Sequence, residues 1–157
     1  MKNDRRSDVS HIEVSSLIPA KQEKVFEVIS DYSLLPSFLD DRIQLKAKQK
    51  PLLAREGAEY EFEAQFAGLS LPWCVRLDEF VPPHKIVERM TLGFLKSWEN
   101  TYQVIAHDEE SARLVNIVNY ETSFGLIGQL ADDFGVRTLL EKSIGRAHEK
   151  VKQYFET

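Results

Sequence analysis

The stretch from Val136 to Phe155 constrains the fold more than any other. Leu140, Ile144, Ala147, Val151 and Phe155 recur at spacings of three and four, with His148 on the edge of that stripe. Residues so spaced share one face of a helix. Arg137, Glu141, Lys142, Arg146, Glu149, Lys150 and Lys152 occupy the rest of its circumference. Glu141 stands four before Gly145 and Glu149 four before Gln153, so few ion pairs are expected to support it. A lone helix of this length is marginal in water. It needs an apolar surface to lie on.

The middle of the chain predicts that surface. In Ala58 to Phe66, Tyr60, Phe62, Ala64 and Phe66 alternate with Glu59, Glu61, Glu63 and Gln65. Strict alternation means one covered and one wet face, as in an antiparallel sheet. Leu69 to Asp78 continues it, with Leu71, Trp73, Val75 and Leu77 on one side; Pro72 suggests an edge or a bulge. Pro82-Pro83 breaks the run before a strand over His84 to Leu92, ended by Gly93. Lys96 to Ala106 groups Trp98, Asn100, Tyr102 and Val104, and Ala112 to Tyr120 groups Leu114, Asn116, Val118 and Tyr120. Earlier, His11 to Ile18 and Ile43 to Ala47 read as strands. Between them a short helix buries Val25, Phe26, Val28 and Ile29, and a second helical turn, broken at Pro36, lies within Asp31 to Asp41. One long amphipathic helix on a curved antiparallel sheet of about seven strands is a two-layer α+β domain.

Length and charge narrow the function. A chain of 157 residues fits one domain, expected over residues 9–157 behind a flexible tail of residues 1–8. A net charge of −5 argues against nucleic acid as partner. The single cysteine, Cys74, allows no internal disulfide, which fits a cytoplasmic setting. Neither a signal peptide nor an apolar run long enough to span a membrane is read. The four histidines lack ligand-like spacing, so neither a metal nor another cofactor is expected.

Several motifs, in order, carry a resemblance. Ile12-x-Val14, Ile18-Pro19-Ala20, Val25-Phe26 and Asp31-Tyr32 open the chain. Gly68-Leu69-x-Leu71-x-Trp73 and Phe80-x-Pro82-Pro83-His84-Lys85-Ile86-Val87 follow. Gly93 to Trp98, Val118-x-Tyr120 and Gly125-x-x-Gly128-x-Leu130 complete the set. The set resembles the START/Bet v 1-like superfamily (SRPBCC, polyketide cyclase/dehydrase-like). That resemblance implies a helix-grip fold: a seven-stranded sheet gripping the C-terminal helix over a cavity for lipids, polyketides, quinones or other apolar molecules.

The residues expected to face such a ligand are Tyr60, Phe62, Phe66, Trp73, Trp98, Asn100, Tyr102, Asn116 and Tyr120. The aromatics equally suit a filled core. Asn100 and Asn116 say more, because an unpaired buried amide costs about 1–3 kcal/mol. Each needs a partner: the other, local backbone, or a ligand's polar head. No catalytic residue is firm; the candidates are Tyr102, Glu88 and His148. Glu88 shares a side with Ile86 and Met90, yet Val87 and Thr91 fit the covered face almost as well, and an exposed Glu88 is the favoured expectation. An inward one would have a raised pKa and serve as acid or base. Three functions follow. The favoured one is a non-catalytic carrier of an apolar small molecule. The others are a cyclase/dehydratase-type enzyme and a protein-interaction module with a filled core.

Overall fold

The computed structural model describes residues 9–39, 43–48, 53–66, 68–122 and 133–157, without the side chains of Phe66, Asp133 and Phe134. The expected tail and the motif around Gly125 and Gly128 lie outside the described residues. Seven strands form one antiparallel sheet: β1 (Ser10–Ile18), β2 (Ile43–Ala47), β3 (Glu59–Phe66), β4 (Leu69–Val81), β5 (Lys85–Leu92), β6 (Ser97–Ala106) and β7 (Ala112–Glu121). Their order across the sheet is β1-β7-β6-β5-β4-β3-β2. Two short helices, α1 (Gln22–Ile29) and α2 (Leu35–Phe38), follow β1, and α3 (Asp133–Glu156) closes the chain. This is the helix-grip α+β fold that the periodicity and the resemblance predict.

Alternation decides which face is covered. Tyr60, Phe62 and Ala64 of β3 are buried while Glu59 and Glu61 are exposed. Register shifts at Cys74/Val75 and Leu77/Glu79 interrupt the β4–β5 ladder, and such irregularities bend and twist a sheet. Pro72 pairs with Glu63 of β3, while pairing with β5 begins only at Cys74. Its missing N–H therefore interrupts no ladder on the β5 side.

Two details differ from expectation. Pro36 lies in the first turn of α2 rather than breaking it; there its missing N–H has no helical partner to lose. On α3, Arg137 Nε meets Glu141 Oε1 at 3.0 Å, and Arg137 Nη2 donates to the His11 carbonyl at 2.8 Å. Counting only acid-before-base spacings misses this reversed pair.

The covered face holds two apolar clusters. The larger joins Ile18, Val25, Phe26, Phe62, Leu77 and Ile86 with Val151 of α3. The smaller joins Ile12, Leu95, Val118 and Tyr120 with Val136. The space between sheet and helix, where these clusters meet, is left incompletely filled.

Candidate functional site

A cavity of about 170 Å³ lies between the sheet and α3. Its wall is largely apolar: Leu35 and Phe38 of α2, Ile43 and Leu45 of β2, Trp73, Leu95, Trp98 and Leu114 from the sheet side, and Leu140, Ile144, Ala147 and Val151 of α3. The helix stripe thus has a double role. It packs the core and roofs a void.

One polar chain crosses this wall, and strand register assembles it. Glu88 of β5 stands opposite Asn100 of β6, and Tyr102 of β6 opposite Asn116 of β7. Asn100 Nδ2 donates to Glu88 Oε1 at 3.1 Å, and Asn116 Nδ2 donates to Asn100 Oδ1 at 3.0 Å. Asn116 Oδ1 lies 2.7 Å from His148 Nε2, and His148 Nδ1 lies 2.9 Å from Ser16 Oγ. At the other end the Tyr32 hydroxyl donates to Glu88 Oε2 at 2.7 Å, and the Tyr102 hydroxyl reaches Oε1 at 3.5 Å. Glu88, Asn100, Asn116 and His148 are all buried.

The direction of the chain follows from its acid end. Ionised Glu88 only accepts, so Asn100 presents its amide nitrogen to it and its oxygen to Asn116. Asn116 then donates to Asn100 and offers its own oxygen to His148. A neutral His148 must therefore carry its proton on Nε2 and accept from Ser16 at Nδ1. Burial draws the His148 pKa down to about 4, which keeps the ring neutral at pH 7. Burial pushes the Glu88 carboxyl upward, against the opposing pull of the hydrogen bonds from Tyr32, Asn100, Tyr102 and Trp98. Burial first, and the charge of Glu88 second, hold the Tyr32 and Tyr102 hydroxyls well above the ordinary phenol range. The hydroxyl of Ser143, in the cavity wall, is buried without a hydrogen-bond partner, and the buried indole N–H of Trp98, in the same wall, meets no acceptor at full hydrogen-bond geometry but lies near enough to Glu88 to draw its pKa down.

The expected site residues divide. Trp73, Trp98, Asn100, Tyr102 and Asn116 line the cavity, as do Glu88 and His148. Tyr60, Phe62 and Tyr120 are absent from its wall. Tyr60 stacks on Tyr32 with ring centroids 4.6 Å apart, Phe62 is fully enclosed in the larger cluster, and Tyr120 belongs to the smaller one. The side chain of Phe66 lies outside the described residues. Glu88 is inward rather than exposed: only 6% of its surface is accessible, and Ile86 and Met90, not Val87 and Thr91, share its side. Tyr32 is not among the expected residues. It sits in the turn between α1 and α2, where no period marks an inward side chain. Cys74 is not in the wall and pairs across β3 with Glu61. Among the described residues no group of His, Cys, Asp and Glu is placed to hold a metal ion, and no helix is long and apolar enough to cross a membrane.

Gly93, between β5 and β6, lies against Trp73 of the cavity wall. A Cβ there would lie 2.4 Å from Met90 Sδ and 2.7 Å from Trp73 Cε3. Met90 can swing aside, but the Trp73 ring, which also contacts Phe94 and Trp98, has little freedom. Gly93→Ala is expected to cost about 1–3 kcal/mol through overpacking. A thermal melt indistinguishable from the parent's would contradict the tight contact.

The sequence matches the family model described as "Polyketide cyclase / dehydrase and lipid transport" over residues 10–156. No curated protein is significantly similar in sequence. A START superfamily protein from Mycobacterium smegmatis superposes with a TM-score of 0.71 at 12% identity, over 93% of this chain and 97% of that one. The Zhui aromatase/cyclase from Streptomyces sp. R1128 gives 0.69 at 18% identity, over 94% of each chain. A Thermus thermophilus protein, TTHA0849, gives 0.69 at 20% identity, over 92% of this chain and 95% of that one. At these identities the likeness is one of fold. With a family model matched across nearly its whole length, and a sheet that grips one long helix, the chain belongs to the polyketide cyclase/dehydrase and lipid transport family.

Proposed function

We propose that the protein binds a compact, ring-bearing apolar molecule in the cavity between the sheet and α3, without transforming it. The observation that supports this most is the void itself: about 170 Å³, apolar on most sides, with one polar chain across its wall. Its size favours a small guest. An apolar cavity of about 150 Å³ holds benzene, whereas drug-sized ligands occupy roughly 300–1,000 Å³. Lipids and multi-ring polyketides would need a larger space. The polar groups are chiefly engaged with one another, which suits recognition by shape with a few hydrogen bonds.

Titration with benzyl alcohol, followed by tryptophan fluorescence and thermal melting, tests this. Trp73 and Trp98 line the wall, so saturable quenching with a rise in melting temperature is expected. Ala147 also lines it, from α3. Ala147→Phe fills the void and should weaken binding at least tenfold. No saturable response in the parent, or equal binding by the filled variant, would sink the proposal.

A cyclase/dehydratase-type activity is a second reading, favoured by one observation. Glu88 is a buried carboxyl held between two phenols, Tyr32 and Tyr102. Burial shifts its pKa in the direction a general acid or base near neutral pH requires.

A further inference from the structure

The charge balance of the cavity wall narrows the ligand class. Among the described residues the wall contains Asp31, Glu88 and His148, and no lysine or arginine. His148, with its pKa near 4, is neutral at pH 7, and both its ring nitrogens are engaged. Glu88 accepts from Tyr32, Asn100 and Tyr102. The indole N–H of Trp98 adds its pull on the carboxyl, so the charge of Glu88 is met by neutral donors alone. The interactions that move the Glu88 pKa are burial and hydrogen bonds, with no cation among them.

A buried acid without a counter-charge is costly. Here folding has already stripped water from it. A cationic ligand would therefore form the ion pair with only its own desolvation outstanding. Trp73 and Trp98 belong to the same wall, and indole rings attract cations as well as other rings. A carboxylate ligand meets the opposite situation. It faces Glu88 and Asp31, and gains a counter-ion only by protonating His148. With a pKa near 4 that step alone costs roughly a thousandfold at pH 7.

We propose that the ligand is a compact amine, a single ring on a short arm, whose ammonium pairs with the buried carboxylate of Glu88. The cavity then rejects carboxylates of the same shape. This rests on the proposal that the cavity binds a ring-bearing molecule at all. It also predicts a proton linkage. Where Glu88 is protonated in the free protein, amine binding expels that proton to solvent. Of the other groups facing it, Tyr32 and Tyr102 stay protonated, His148 stays neutral above pH 5, and Asp31 is half-buried and lies in the same wall.

Isothermal titration with benzylamine, benzyl alcohol and benzoate at pH 7 tests the proposal. Benzylamine should bind at least tenfold tighter than benzyl alcohol and at least a hundredfold tighter than benzoate. Glu88→Gln should bring the amine level with the alcohol. Should that variant not fold, the parent still decides: below the Glu88 pKa, benzylamine affinity should fall as pH drops, while benzyl alcohol affinity stays level. Benzyl alcohol equal to or tighter than benzylamine, benzoate within tenfold of benzylamine, or a flat amine profile across that range would overturn the amine assignment and leave the binding proposal standing. Binding of none of the three would overturn both.

Discussion

Replacing Asn116 by leucine is expected to cost about 2–6 kcal/mol, since it orphans two buried groups at once and each costs about 1–3 kcal/mol. Asn116 links Asn100 to His148, donating to one and accepting from the other. Leucine has the same branched heavy-atom skeleton and neither capability. The Asn100 oxygen and the His148 Nε2–H would both lose their partner while remaining buried. Urea denaturation at pH 7.5 measures the loss as a shift in midpoint at constant slope. The double variant Asn116→Leu/His148→Leu sharpens the test. Removing His148 as well abolishes one orphan, so the two changes together should cost clearly less than the sum of their single effects. Simple additivity would mean that the hydrogen bond between them contributes little, and that the chain across the wall is incidental.

Acidification should destabilise the protein between about pH 6.5 and pH 4 through His148. Its folded pKa lies near 4 against an ordinary 6.5. A depressed pKa means the unfolded chain binds the proton more readily. The contribution of His148 is therefore fully present above pH 6.5 and is lost as pH falls through the window. The gap of 6.5 − 4 = 2.5 units corresponds to about 3 kcal/mol. His148 is only 2% exposed, so solvent screening takes little from this. Glu88 acts in the opposite sense. Its pKa is raised, so stability associated with its protonated form is present below the ordinary carboxyl range and lost as pH rises through its folded value. On acidification it offsets part of the His148 loss. His148→Gln keeps an N–H for Asn116 and cannot titrate. Urea midpoints at pH 7.5 and 4.5 should differ much less in that variant than in the parent. An equally steep decline would place the acid sensitivity elsewhere.

The strands that build the site announce themselves by alternation. Asn100 and Asn116 can be singled out because each is a polar residue in a period-two run whose other members are apolar. Their mutual pairing, one of the partnerships expected for a buried amide, is what the structure shows. Glu88 is harder. Val87 and Thr91 make the phase of β5 ambiguous, and the ladder that joins it to β4 shifts register twice. Only its alignment opposite Asn100 settles that its carboxyl points inward. Tyr32 has no periodic signal, because a turn between two short helices has none. Its place at Glu88 depends on where that turn folds against the sheet.

The aromatic residues show the limit most clearly. Phe62 and Trp73 are cross-strand partners on the same covered face. One is sealed in the larger cluster and the other lines the cavity. Alternation assigns both to that face and cannot tell them apart, because whether a ring fills or borders a void depends on the distance to the helix above it. Local periodicity places the elements, the helix stripe and, outside β5, the covered face, since these regularities are imposed by backbone geometry. Tertiary structure alone decided that a cavity of about 170 Å³ remains, and that Tyr32, Glu88, Asn100, Asn116, His148 and Ser16 join in one chain. Both depend on how far a curved sheet stands from its helix and on which strands lie in register, and such distances join residues far apart in the chain.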